Sequence, residues 1–300
     1  MVPKRRQNVV VELQAVAVSV ANQTPFVMVM PDKSLPSGPL GAGHRTLQQG
    51  LRAWVEEQSG LKLGYVEQLY TFADRDRTAD RRRVVSIGYL ALTRMALHNA
   101  MPWYDFFPWE DHRKGVPQPL MARIMEGLEG WKKKAPDVPT RREREERIAV
   151  DFPKDPRRWN EELVLQRYEL LWEAGLIKEA APGKGGKMAG ALGVPMPHDH
   201  RRILATGMAR LRAKIKYRPV VFELMPDRFT LLQLQSTVEA LAGLRLHKQN
   251  FRRLVQGQGL VEETGEYLIE KRGRPAKLFA FRREVLRERA AAGTKLPRVG

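Results

Sequence analysis

The chain opens on an alternating run. Residues 9–20 are rich in Val and of period two, which predicts a strand. Residues 25–31 predict a second strand, and residues 35–43 a Gly- and Pro-rich loop. Then the period changes. Thr46 reads as the N-cap of a helix running to about Ser59, with Gly60 as its stop. Residues 65–72 and 83–93 alternate again and predict two more strands, with a charged loop at 73–82 between them. The first hundred residues therefore predict β-β-α-β-β, an α/β sandwich.

Residues 101–109 are dense in Trp, Pro and Phe and predict an irregular packed segment. Residues 119–134 have helical spacing, 139–148 form a charge cluster, and 157–174 predict an amphipathic helix. On that last helix Leu163, Tyr168, Leu171 and Trp172 fall near one face, while Glu161, Glu162, Arg167 and Glu169 keep the others polar. So aromatic a stripe must be buried, either on the chain's own core or against a second subunit. Residues 181–197 read as a Gly- and Pro-rich linker. Residues 198–216 predict a long helix, 230–242 a helix capped by Thr230, and 248–256 a short basic helix. Residues 260–281 predict two strands joined by a basic turn, and the chain from 290 onward a disordered tail.

Composition narrows the class. Hydrophobic residues make up 43%, enough for a core, so the chain is not disordered. There is no cysteine, which removes disulfides and thiolate metal sites and fits a reducing cytoplasm. No apolar run reaches the ~18 residues of a membrane span. The net charge is +18, and residues 198–300 hold 22 Lys and Arg against 10 Asp and Glu, or +12. A basic excess concentrated in the last third implies a polyanionic partner, nucleic acid first.

Two stretches carry candidate chemistry. Residues 38–61 resemble a Nudix box, which reads Gly, five residues, Glu, seven residues, Arg-Glu-apolar-any-Glu-Glu-any-Gly-apolar. Its carboxylates, three and four apart on one helix face, hold the magnesium that activates water and neutralises a pyrophosphate. With Gly60-Leu61 as anchor, Ala53 and Trp54 replace the Arg-Glu pair, Glu57-Gln58 replace Glu-Glu, and Arg45 stands at the upstream Glu. A register one residue earlier keeps Gly38, Arg52, Glu56 and Glu57 but loses the same two carboxylates to His44 and Ala53. The first register is preferred, because Gly60 must end the helix. A lone carboxylate is a poor magnesium site, so no catalytic residue and no metal ligand is assigned.

The second stretch reads as helix-turn-helix. Leu231, Leu234, Val238 and Leu241 form the packing stripe of its first helix, Gly243 sits in the turn, and Leu246, Phe251 and Leu254 anchor the second helix. Lys248, Gln249, Asn250, Arg252 and Arg253 are left to face a groove, where Arg and Lys suit guanine or phosphate and Asn and Gln suit adenine. Two strands around Arg272-Gly-Arg-Pro275 read as a wing, with Lys271, Arg272, Arg274 and Lys277 as its cations.

The order of motifs is similar to that of the Nudix-related transcriptional regulators of NAD metabolism. The resemblance rests on Leu69-Tyr-Thr-Phe72, Arg83-Val-Val-Ser86, Phe106-Phe-Pro-Trp-Glu-Asp111, Asp199-His-Arg-Arg-Ile-Leu204, Pro219-Val-Val-Phe-Glu-Leu-Met-Pro226, Phe229-Thr230, Asn250-Phe-Arg-Arg253 and Gly273-Arg-Pro-Ala-Lys-Leu-Phe279, and it covers roughly two thirds of the chain. Residues 114–195 depart from it with two extra helices, as in the longer alphaproteobacterial regulators of that superfamily.

The resemblance implies an α+β fold: a Nudix-like α/β/α sandwich at 1–216 with a helical insertion at about 114–195, a winged helix-turn-helix domain at 217–288, and a tail at 289–300. It further implies a cytoplasmic homodimer without membrane contact that represses NAD-synthesis genes at a double-stranded DNA operator. No cofactor is required, and the nucleotide effector is ADP-ribose, NAD or ATP. Tyr70, Phe72 and Arg83 are the candidate ligand contacts, since an aromatic stacks on adenine and an arginine pairs a phosphate. The rival class is an enzyme, a Nudix pyrophosphohydrolase of ADP-ribose-like substrates with a basic accessory domain. RNA binding fits less well, because no aromatic single-strand platform is visible.

Overall fold

The computed structural model describes residues 9–74, 83–180, 192–269 and 275–285. The expected tail from 289 and most of the 181–197 linker lie outside them. The first strands form as their alternation predicts: β1 (Val9–Ala21), β2 (Thr24–Met28), a short β3 (Ser37–Pro39), β4 (Tyr65–Phe72), β5 (Arg83–Leu92) and β6 (Ala100–Pro102). The sheet order is β4-β5-β1-β2-β6, with β3 beside β1. β1 runs parallel to β5 from Val9↔Arg83 to Val18↔Leu92, and antiparallel to β2 from Val18↔Val27 to Ala21↔Thr24. Asn22 and Gln23 close that hairpin at φ 48° and 60°, the double positive φ that matches strand twist.

β1 is buried on both faces, as a central strand should be. Leu13, Ala15 and Ala17 pack under helix α1 (Leu47–Ser59) through Leu51 and Val55. Val16 and Val18 pack with Leu90 and Leu92 against Ile203, Leu204, Met208 and Leu211 of helix α6 (His200–Tyr217). The result is a sandwich of α1, sheet and α6.

Between β6 and α6 the chain is more regular than its sequence suggests. Trp103–Phe106 form a single helical turn, α2, and Pro108–Glu110 a 3-10 turn, with Trp103, Phe106, Phe107 and Trp109 fully buried. Three helices follow: α3 (Gln118–Lys133), α4 (Val138–Asp151) and α5 (Val164–Glu173). The charge cluster at 139–148 is therefore a helix, started by the Asp137 side chain, which accepts from Thr140 N–H at 2.7 Å. The aromatic helix is shorter than expected. Its first part is a 3-10 turn at Pro156–Arg158, opened by Asp155, so Trp159 lies ahead of the helix.

Of the aromatic stripe, Tyr168 (1% exposed) and Leu171 are buried in the chain's own core and Trp172 packs half-buried against it, while Leu163 is half-buried. Arg167 corrects the assignment of polar faces, because it is fully buried.

The last third adds α7 (Leu231–Ala242), α8 (Lys248–Gly257) and a two-stranded sheet of β7 (Val261–Leu268) and β8 (Ala276–Phe281). Thr230 and Gln233 exchange hydrogen bonds at the start of α7, a complete capping box. Phe229 pairs with Phe279 in both directions and so ties the start of α7 to β8. Phe222 stacks on Phe281 at 4.2 Å. These residues join the same apolar cluster that fills the α6 side of the large sheet.

Candidate nucleic-acid interface

In α8, Phe251 and Val255 face inward, one turn apart. Leu254 does not anchor the helix as its sequence position suggests; it is 56% exposed, and Val255 takes its place. The inward pair leaves Lys248, Gln249, Asn250 and Arg253 exposed and Arg252 half-buried. Among the described residues, only a weak 3.4 Å contact between Arg253 and Asn250 ties these polar groups together. They are free to meet base edges or phosphates. In the wing, Lys277 is held by Glu263 of the facing strand at 2.8 Å, while Lys271, Arg272 and Arg274 lie outside the described residues.

What aims α8 is a buried charge cluster. Glu110 accepts from Arg167 Nε at 2.6 Å and Nη2 at 2.9 Å, and from Arg212 Nη1 at 2.6 Å. All three side chains are fully buried. Burial alone would raise the Glu110 pKa, but the two guanidinium groups outweigh it and hold the carboxyl below its ordinary value. The Arg212 pKa is raised, its burial outweighed by Tyr104 and Glu110.

The cluster reaches the helix-turn-helix directly. Arg212 Nε donates to the Leu241 carbonyl at 2.9 Å, and the Tyr104 hydroxyl donates to that of Ala240 at 2.7 Å. Gly243, left-handed at φ 73°, ends α7 against this cluster. A side chain there would strike the Glu110 carbonyl and the Tyr104 hydroxyl. No sequence pattern marked Glu110, Arg167 and Arg212 as partners. The nearest signal was the Phe106–Asp111 motif, which gave no role to its glutamate.

At the other end of α6 lies the degenerate box. Thr46 caps α1 by accepting from Gln49 N–H at 3.1 Å, and Gly60 ends it at φ 68°. Val55 and Leu61, the apolar positions of the preferred register, are both buried. Trp54 stands where the central carboxylate belongs, and its indole packs on Gly38 and donates to the Pro39 carbonyl at 2.9 Å. Arg52 donates to the carbonyls of Leu63 and Gly64. Arg45, Glu56 and Glu57 are exposed. Among the described residues no three His, Cys, Asp or Glu side chains are placed to share a metal ion.

The loop before the box is held by His200, whose Nδ1 accepts from Leu35 N–H at 2.7 Å. Burial, together with His198, pushes the imidazole down to about 4.

Of the candidate ligand contacts, Tyr70 and Phe72 lie on the edge strand β4 and Arg83 opens β5. Tyr70 is 56% exposed, with the Arg210 guanidinium 5.7 Å from its ring. Phe72 is buried, and its ring is covered by Arg202 at 5.1 Å. The side chain of Arg83 lies outside the described residues.

Comparison with known proteins agrees with this geometry. Residues 221–281 match the NrtR DNA-binding winged helix domain. A segment of 91 residues is 40% identical to the ADPR responsive transcriptional repressor NtrR of Acinetobacter baylyi; it covers 30% of this chain. The chain spans about a third of that relative's length, 36%. Among solved structures, Shewanella oneidensis NrtR complexed with a 27mer DNA superposes with a TM-score of 0.54 at 20% identity, over 92% of this chain and 94% of that one. A MutT/nudix family protein from Enterococcus faecalis gives 0.53 at 15% identity, over 94% and 89%. No helix among the described residues is long and apolar enough to cross a membrane. Residues 221–281 thus resemble the NrtR DNA-binding winged helix domain, and the chain that carries them shares the fold of S. oneidensis NrtR and of a MutT/nudix family protein.

Proposed function

We propose that the chain is a transcriptional repressor that binds an operator through α8 and its wing, and that its Nudix-like body binds ADP-ribose as effector without hydrolysing it. The exposed polar face of α8 carries this reading: Lys248, Gln249, Asn250 and Arg253 hold no structural post, while Phe251 and Val255 seat the helix. The A. baylyi relative, an ADPR-responsive repressor, supports the effector. The S. oneidensis protein, crystallised on DNA, supports the partner. Trp54, Ala53 and Gln58 at the box positions support binding without turnover.

On this reading residues 1–216 are the sensor and 217–288 the DNA-binding unit. Two copies related by a two-fold axis present two α8 helices to a pseudo-palindromic site in a promoter of NAD-synthesis genes. The test is a gel shift with the chain's own upstream region, run with ADP-ribose, NAD and ATP in turn. Binding that ADP-ribose alone alters is the expected result. Failure to shift that DNA above the level of unrelated DNA, with or without nucleotide, would overturn it.

A further inference from the structure

The inserted helices bring a second basic surface to the edge of the helix-turn-helix. Residues 112–113 are the bridge. His112 N–H donates to the Gly243 carbonyl at 2.7 Å, and Arg245, in the turn before α8, donates to the Arg113 carbonyl at 3.3 Å. On its other side the His112 ring lies 4.2 Å from that of Trp159. Trp159 is buried, with the Arg167 guanidinium 3.9 Å from its ring centre and Phe152 at its edge. Trp159 therefore pins the 153–160 loop beside the turn that precedes α8.

This surface is rich in exposed cations. Lys114 follows the bridge, and Lys154, Arg157 and Arg158 precede Trp159. Two neighbours are neutralised: Arg157 by Asp155 at 2.9 Å, and Arg113 by Asp111 at 2.8 Å. Lys114, Lys154 and Arg158 have no ion-pair partner among the described residues. Their side chains are exposed, Lys154 and Arg158 beside a surface concavity that they share with Glu129 and Asp155, and the 112–113 bridge with Trp159 brings the segments that carry them next to the turn before α8. In this motif the start of the second helix enters the major groove, so the turn before it faces the phosphate backbone.

We infer that Lys114, Lys154 and Arg158 bind DNA phosphates flanking the site read by α8, so that the insertion extends the DNA footprint. This rests on the DNA-binding reading above. Such contacts release counterions and are blind to sequence, so they show in salt dependence rather than in base preference.

The test compares the full chain with Lys114→Ala/Lys154→Ala/Arg158→Ala. A control of equal charge, Arg123→Ala/Arg141→Ala/Arg142→Ala, removes exposed cations on α3 and α4. Affinity for a labelled duplex of about 40 base pairs is followed by anisotropy from about 50 to 200 mM salt. Thermal melting checks that both variants keep the fold. The expected result is a salt slope shallower by about two to three units for the first variant, at about 0.9 per phosphate, with affinity at least about tenfold weaker at low salt. The control keeps the slope of the parent. If the two variants change the slope equally, or neither does, while Arg253→Ala still weakens binding, this inference fails and the DNA-binding reading stands. If the parent itself does not bind the duplex at low salt, both fail.

Discussion

The box helix α1 and helix α8 are both short and set on the same framework, yet their polar residues have opposite employment. In α1 two positions that would hold carboxylates are turned into structure, with Trp54 packing on Gly38 and Gln58 donating to the Ser37 carbonyl at 2.7 Å, and of the box positions on this helix only Glu57 keeps an exposed carboxylate. In α8 the polar side chains bond little among the described residues, and two inward side chains do the seating. A side chain committed to packing or to a backbone carbonyl is not available for a ligand. The degenerate box lies at one end of α6 and the exposed polar face of α8 at the other. α6 joins them, with His200 holding the box loop and Arg212 holding the turn of the helix-turn-helix.

The largest effect should come from the anchor of α8. Glu110→Ala leaves Arg167 and Arg212 buried without their carboxylate, and should cost about 3–5 kcal/mol of stability, read by chemical denaturation. A loss under about 1 kcal/mol would mean that the turn is aimed by something else.

The anchor of the box loop is tested by pH. His200 is held neutral, its pKa depressed from 6.5 to about 4. The stability it contributes is complete above the free value and is lost as pH falls toward about 4. The span corresponds to about 3 kcal/mol as an order of magnitude. His200→Asn, which keeps an acceptor for Leu35 N–H, should flatten stability over that window. An unchanged acid limb would remove His200 as the anchor.

Smaller effects should follow at the surface itself. Arg253→Ala should weaken operator binding by about 1–3 kcal/mol if the side chain reads a base, with little change in melting temperature. Equal binding by the variant and its parent would take Arg253 out of the interface. The least effect is expected in the box. Glu57→Gln should leave stability within about 0.5 kcal/mol. With magnesium and ADP-ribose, neither protein should turn over at an ordinary enzyme rate of about 1 s⁻¹. Turnover in the parent that the variant loses would return chemistry to α1 and dissolve the contrast.

The sequence alone determined the local elements and their ends. Alternation set β1, β4 and β5, and Thr46, Gly60 and Thr230 set the limits of α1 and the start of α7. The basic face of α8 was equally legible, because a helix and its caps are decided by residues within about four positions of one another. Tertiary structure decided the rest. Glu110 meets Arg167 and Arg212 across 57 and 102 positions of chain, a pairing that no period announces. It turned Arg167 from an expected surface charge into a buried one. In the same way Trp159, ahead of the helix, packs on His112 beside the turn, and Val255 displaced Leu254 as anchor. Periodicity shows only that a helix has an apolar face; which residue at the margin of that face is covered depends on the element packed against it, and that element comes from elsewhere in the chain.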